Sequence, residues 1–76
     1  MDQISCISYI LHQSREENIR KIAIDLLIGD ISLKEVERIS PEVKKELKKA
    51  EALYKNQRID LKAVSVFVQD FMFVTG

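Results

Sequence analysis

The chain has 76 residues with twelve basic and twelve acidic side chains, so its net charge is zero. A balanced charge does not favour binding to nucleic acid, and no stretch approaches the roughly 20 apolar residues of a membrane span. Cys6 is the single cysteine, which excludes an intramolecular disulfide, and Cys6 with His12 falls short of a four-ligand zinc site. A domain this small must therefore be stabilised by helix packing or by association with a partner.

The cellular compartment is expected from two features of the sequence. The first three residues, MDQ, lack the basic start of a secretion signal, and a lone cysteine suits a reducing compartment. We therefore expect a cytoplasmic protein. The composition, 46% hydrophobic and 32% charged, is that of a folded helical protein and not of a disordered tail.

Apolar residues recur at the helical period along most of the chain. The pattern predicts an all-α fold, a small bundle of four to five short helices joined by tight corners in a single domain over 1–76. Turn pairs such as Asn-Gly, which mark β-hairpins, do not occur in the sequence, so strands are not expected. The predicted helices cover about residues 2–13, 15–28, 33–39, 41–55 and 61–73.

Capping residues set the expected ends of the second and third helices. Ser14 and Glu17 have the spacing of a capping box, in which each side chain pairs with the backbone amide of the other residue. Gly29 is suited to the left-handed residue that ends the second helix. Ser32 and Glu35 repeat the capping-box spacing and are expected to open the third helix.

The fourth and fifth helices have equally clear boundary signals. Ser40-Pro41 combines an N-cap side chain with a proline whose missing amide does no harm in the first turn of a helix. Asn56 follows the fourth helix and is expected to take the left-handed conformation, because asparagine tolerates it when glycine is not available. Asp60 is expected to cap the last helix.

A six-residue unit occurs twice, 28 positions apart. Residues 31–36 read ISLKEV and residues 59–64 read IDLKAV, and each unit follows an amphipathic stretch. Each copy predicts the same sequence of helix, tight corner, apolar isoleucine, N-cap oxygen and new helix. A solenoid needs about three such units to close its core, and this chain has two. Apolar faces are therefore left over, which indicates a protein partner.

The last helix has more apolar side chains than one face can hold. Val66 and Phe73 fall on the side opposite its main face, and Ile24 and Ile28 do the same on the second helix. Leaving four such side chains in water would forfeit several kcal/mol, so we expect another protein or a second copy of the chain to cover them. The main face of the last helix comprises Leu61, Val64, Phe67, Val68, Phe71 and Met72.

Polar candidates for a functional site have simpler structural explanations. His12 has no well-placed serine or cysteine nucleophile, so we expect a surface histidine and a partly buried Cys6. The carboxylates lie at caps or three to four residues from lysines, where they stabilise helices. No glycine-rich phosphate loop occurs, and we expect no enzyme, no catalytic residue, no cofactor and no metal site. The fourth helix has a lysine face, expected to be solvated, formed by Lys44, Lys45, Lys48, Lys49 and Lys55.

The second half of the chain resembles a known family. Residues 43–50 read VKKELKKA and residues 55–60 read KNQRID, with Ala63-Val64 and an apolar run to residue 72 after them. This order of charged helix, turn ending in a hydrophobe and aspartate, and apolar helix resembles FlgM-type anti-sigma factors, which restrain the flagellar sigma factor. The resemblance covers roughly residues 41–73.

The resemblance implies a regulator of transcription that sequesters a sigma factor-like client through apolar helix faces. Phe67 and Phe71 are the expected anchors, because large aromatic side chains dominate binding energy at interfaces. The implied partner-binding residues are Val43, Leu47, Ala50, Tyr54, Val64, Phe67, Val68 and Phe71.

Two alternatives to this protein-interaction module stay open. In the first, the chain is a small helical DNA-binding protein whose helix at 41–55 turns its lysine face to phosphates. In the second, it is a structural homodimer with no other client. Steep salt-dependent binding to duplex DNA would favour the first, and a single stable dimer would favour the second.

Overall fold

The computed structural model describes residues 3–72, apart from the side chain of residue 72. It confirms the all-α prediction, since no strand occurs within 3–72. The third and fourth helices have the predicted bounds, and the first is shorter than predicted at its C-terminal end. Residues 2 and 73, included in the predicted first and last helices, lie outside the described range. The helices are α1 (Gln3–His12), α2 (Glu17–Ile28), α3 (Leu33–Ile39), α4 (Pro41–Lys55) and α5 (Leu61–Met72).

The first helix is the centre of the fold. α1 packs against α2, α4 and α5, and α3 packs against α4. Ile7 and Leu11 of α1 are almost fully buried. The radius of gyration, 11.6 Å, is close to the roughly 11 Å of a compact domain of this length. The main core is built by all four helices α1, α2, α3 and α4. It consists of Ile7, Leu11, Ile19, Ala23, Leu26, Val36, Val43, Leu47 and Ala50.

The two copies of the sequence unit follow the same type of corner. At the end of α2, Gly29 has φ 90°, as predicted. Its amide donates to the Leu26 carbonyl at 3.3 Å, and the Asp30 amide donates to the Asp25 carbonyl at 2.8 Å. These two bonds make a Schellman motif, which satisfies carbonyl groups that the end of a helix leaves unpaired.

The end of α4 repeats this geometry 28 residues later. The Gln57 amide donates to the Tyr54 carbonyl and the Arg58 amide to the Leu53 carbonyl, both at 3.1 Å. The left-handed residue is Gln57, with φ 55°. The prediction for Asn56 is wrong, because Asn56 is the helix C-cap with φ −85° and the motif needs its left-handed residue one position later.

Three of the four predicted N-caps form. Ser40 Oγ accepts the Val43 amide at 3.2 Å at the start of α4, and the Asp60 carboxylate accepts the amides that open α5. Ser32 Oγ accepts the Glu35 amide at 3.3 Å. The Glu35 carboxylate accepts a hydrogen bond from the Ser32 hydroxyl at 3.2 Å. In a capping box it would accept from the Ser32 backbone amide instead.

The capping box predicted at Ser14 and Glu17 is wrong. α2 begins at Glu17 behind an N-cap at Glu16 that makes no side-chain capping bond. The Ser14 amide donates to the Leu11 carbonyl at 3.1 Å as α1 ends, so it is not free for a carboxylate. Ser14 Oγ instead accepts the Glu16 amide at 3.1 Å. The serine therefore belongs to the turn between the two helices.

Candidate protein-binding surface

Most of the side chains assigned to partner binding lie inside the folded chain. Tyr54, Val68 and Phe71 are half-buried. The faces of α4 and α5 thus pack on the protein itself, and a partner reaches them only if helices separate. Their assignment to binding stays a prediction. The buried members of the set are Val43, Leu47, Ala50, Val64 and Phe67.

Large apolar side chains are nevertheless exposed. Ile28 is 48% exposed and Val66 58%, on the outer sides of α2 and α5, as predicted. Ile24 is half-buried, and Phe73 lies outside the described residues. Leu61 was assigned to the packing face of the last helix, but it is 56% exposed because it is the first residue of α5, where the chain has just left the corner.

Exposed Ile28 belongs to a groove at the first corner. The groove joins the start of α1, the end of α2 and the start of α3, with a volume of about 550 Å3. Lys34 is the charged member of its lining. We call this surface the first corner groove. Its apolar lining includes Ile4, Leu27, Ile28, Ile31 and Leu33.

A second groove forms at the second corner, from equivalent positions of the repeat. Gln57, Ile59 and Leu61 line it where Gly29, Ile31 and Leu33 line the first. Lys55 replaces Leu27, however, so this second corner groove is more polar. Its volume is also about 550 Å3. The internal repeat therefore builds two related grooves, of which the first is suited to apolar side chains.

Local geometry explains why the first corner groove stays open. The Schellman motif at Gly29 and the cap at Ser32 hold Ile31 between two helix ends. Only four residues, 29–32, separate α2 from α3, so Ile31 stays at the junction of the two helices. The sequence signal was the isoleucine of the repeat, but helical periodicity on single helices could not show a surface made by three of them.

His12 and Cys6 are both more enclosed than expected. Cys6 is 1% exposed. His12 is half-buried, so its assignment to the open surface is wrong. Its ring centroid lies 5.1 Å from that of Phe67 and 5.2 Å from that of Phe71. Burial, with a further contribution from the charge of Arg20, lowers the pKa of His12.

The lysine face of α4 is exposed but partly engaged within the protein. Lys48 Nζ lies 3.1 Å from Glu37 Oε1 of α3, and Lys49 Nζ lies 3.8 Å from Glu46 Oε1. The hydrogen bond to Glu37 raises the pKa of Lys48. Two of the five lysines therefore face carboxylates, which leaves a mixed surface of both charges.

Comparison of the chain with known protein families, characterised proteins and solved structures finds no match. The resemblance to FlgM-type anti-sigma factors therefore stays a prediction from residues 41–73. Among residues 3–72, no helix is long and apolar enough to cross a membrane. The same range holds no group of three or more side chains that could bind a metal ion.

Proposed function

We propose that this protein is a non-enzymatic protein-interaction module that holds an apolar helix of another protein in the first corner groove. The observation behind the proposal is the exposure of Ile28, 48%, within a groove whose other lining is mainly apolar. Ile28 adjoins the half-buried Ile31 and Leu33, so it is part of a small contiguous apolar surface and not an isolated surface hydrophobe.

The chemistry of the groove favours a protein over a charged ligand. Among the side chains that line it, only Lys34 and Ser32 can donate a hydrogen bond, and the Ser32 hydroxyl already donates to Glu35. An amphipathic helix would instead place side chains spaced three and four residues apart into the groove. Burying roughly 150 Å2 of apolar surface contributes about 4 kcal/mol, before the cost of immobilising the partner.

The resemblance supplies the most specific candidate partner, a sigma factor. The described part of residues 41–73 has the helix, corner and capped helix that the resemblance implies. Sequestration through Leu47 or Phe67 would require α4 or α5 to leave α1, because both side chains are buried. The first corner groove is lined by residues 4–34, outside the resemblance, so docking there requires no such opening and does not depend on the partner being a sigma factor.

Affinity capture from the native host with three baits tests the proposal. The baits are the unmodified chain, Ile28→Lys in the first corner groove and Leu61→Lys in the second. Leu61 is a matched control, since it is as exposed as Ile28 and occupies a repeat-equivalent groove. We expect one protein to be retained by the unmodified chain and by Leu61→Lys and to be lost on Ile28→Lys. Equal retention by all three baits would contradict the proposal.

The alternatives give different results in solution. A DNA-binding protein would bind duplex DNA with a steep dependence on salt, and a Lys44→Glu, Lys45→Glu variant would lose that binding while Ile28→Lys kept it. A homodimer would appear as a single species of twice the mass in sedimentation equilibrium. If Ile28→Lys converted that dimer to a monomer, the groove would be a contact between copies and not the site of a different protein.

A further inference from the structure

The last helix lies outside the main core. Each residue of the core cluster belongs to α1, α2, α3 or α4, and the half-buried hydrophobes packed against it lie in α1, α2, α3 or, for Ile31, the corner between α2 and α3. Val64 and Phe67, the buried apolar residues of α5, are not in that cluster. α5 packs on α1 and α2 as a separate layer. Its removal would therefore leave the contacts within the core cluster in place.

An aromatic cluster on one side of α1 holds α5. The Phe67 ring lies 5.8 Å from Tyr9, between ring centroids, and the Phe71 ring lies 5.2 Å from His12. Phe67 and Phe71 also contact each other at 4.9 Å. Phe67 also lies 5.1 Å from His12, so both phenylalanines of α5 pack on the C-terminal half of α1.

A fixed cation faces the end of this cluster. Arg20 of α2 donates from Nη1 to the carbonyl oxygen of Ser14 at 2.9 Å, just beyond the end of α1. This bond holds the guanidinium where its charge acts on His12. On α5, Asp70 neighbours Phe71 in sequence and is exposed to solvent. The helix dipole at the end of α1 favours a protonated histidine, and Arg20 opposes it.

We propose that α5 is a latch that detaches as a unit from the four-helix core, and that protonation of His12 promotes the detachment. The hinge is the second corner, where Gln57 has φ 55°. Detachment would expose Val64, Phe67, Val68 and Phe71, which have the i, i+3, i+4, i+7 spacing of a groove-binding helix.

The sign of the pH effect follows from the environment of His12. Burial and, to a smaller extent, Arg20 lower its pKa in the folded chain. The departure of α5 removes the burial while Arg20 stays in place, so the pKa of His12 rises towards its ordinary value in the open state. The closed state is therefore favoured fully above the ordinary pKa of histidine. The preference weakens as pH falls from that value towards the lowered pKa of the closed state.

Amide hydrogen exchange of the free full-length chain, read by nuclear magnetic resonance, tests the latch. Near pH 7 we expect protection factors at Val64 and Phe67 to be roughly tenfold lower than at Leu26 and Leu47, as for a unit that opens by itself. Near pH 5 the α5 values should fall several-fold further relative to the core. Equal protection of α5 and the core at both pH values would overturn the proposal.

Two variants separate protonation from general destabilisation. His12→Phe keeps an aromatic ring but cannot titrate, so the pH-dependent loss of α5 protection should disappear. Arg20→Gln should raise the pKa of His12. His12 is the single histidine of the chain, so its imidazole resonances can be followed without ambiguity in a pH titration. If His12→Phe kept the full pH dependence, His12 would not control the latch. An unchanged titration in Arg20→Gln together with an unchanged pH of α5 opening would show that the charge of Arg20 has no part in it. These experiments use the free chain without a partner, so their outcome is independent of whether the first corner groove binds another protein.

Discussion

Gln57 is strained by the backbone it occupies. It has φ 55° at the position where the first copy of the repeat has Gly29 at φ 90°. The left-handed conformation costs a residue with a Cβ about 1–2 kcal/mol, and glycine loses about 0.5–1 kcal/mol through chain entropy. We therefore expect Gln57→Gly to raise the free energy of unfolding by about 0.5–1 kcal/mol, measured by urea denaturation.

Gly29→Ala is the matched reciprocal change. A Cβ at Gly29 would meet no atom within 4 Å, so the substitution changes only the backbone preference. It should lower the free energy of unfolding by about 1 kcal/mol. A loss of stability in Gln57→Gly together with no loss in Gly29→Ala would show that these corners are not strained as described.

Ser8 of α1 is a second residue that lowers the stability of the fold. It is fully buried, and its Oγ has no hydrogen-bond partner. An unsatisfied buried hydroxyl costs about 1–3 kcal/mol, so Ser8→Ala should raise the free energy of unfolding by about 1 kcal/mol, observed as a higher Tm. Ser65→Ala, at a half-buried position of α5, controls for the better helix propensity of alanine. A gain no larger than in that control would mean that the hydroxyl is satisfied.

At the scale of the elements, the N-cap predicted at Ser40 forms and the capping box predicted at Ser14 does not. Ser40 Oγ accepts the amide that opens α4, whereas Ser14 Oγ accepts an amide in a turn. Ser40→Ala should therefore lower the free energy of unfolding by about 1 kcal/mol, and Ser14→Ala should lower it by clearly less. Thermal denaturation followed by circular dichroism measures both. Equal losses in the two variants would indicate that Ser14 caps α2 after all, which would contradict this account.

The bounds of α3 and α4 could be predicted because caps and periodicity are local. The errors at Ser14 and Asn56 arise where the choice between adjacent residues depends on how the preceding helix ends. The Leu11 carbonyl takes the Ser14 amide, and the Leu53 and Tyr54 carbonyls set the position of the left-handed residue. Such bonds depend on where the last helical turn closes, which side-chain pattern does not specify.

At the scale of the whole molecule, periodicity shows which residues share a face but not what that face meets. Leu47 and Ile28 are equally apolar, yet Leu47 is buried under the other helices and Ile28 is 48% exposed. Nothing in the residue pattern of α1 predicted that it would lie at the centre and contact both α4 and α5. The surplus of apolar surface was predictable, whereas its position in the first corner groove was not.

The first corner groove as the site of a partner protein is the central claim. The most direct test is to add the protein retained by the unmodified bait to the isotopically labelled chain and map the amide shifts by nuclear magnetic resonance. We predict the largest shifts at Ile4, Leu27, Ile28, Ile31 and Leu33, with none of comparable size on the lysine face of α4. Shifts centred on that lysine face or on α5, with the first corner groove unchanged, would contradict the claim.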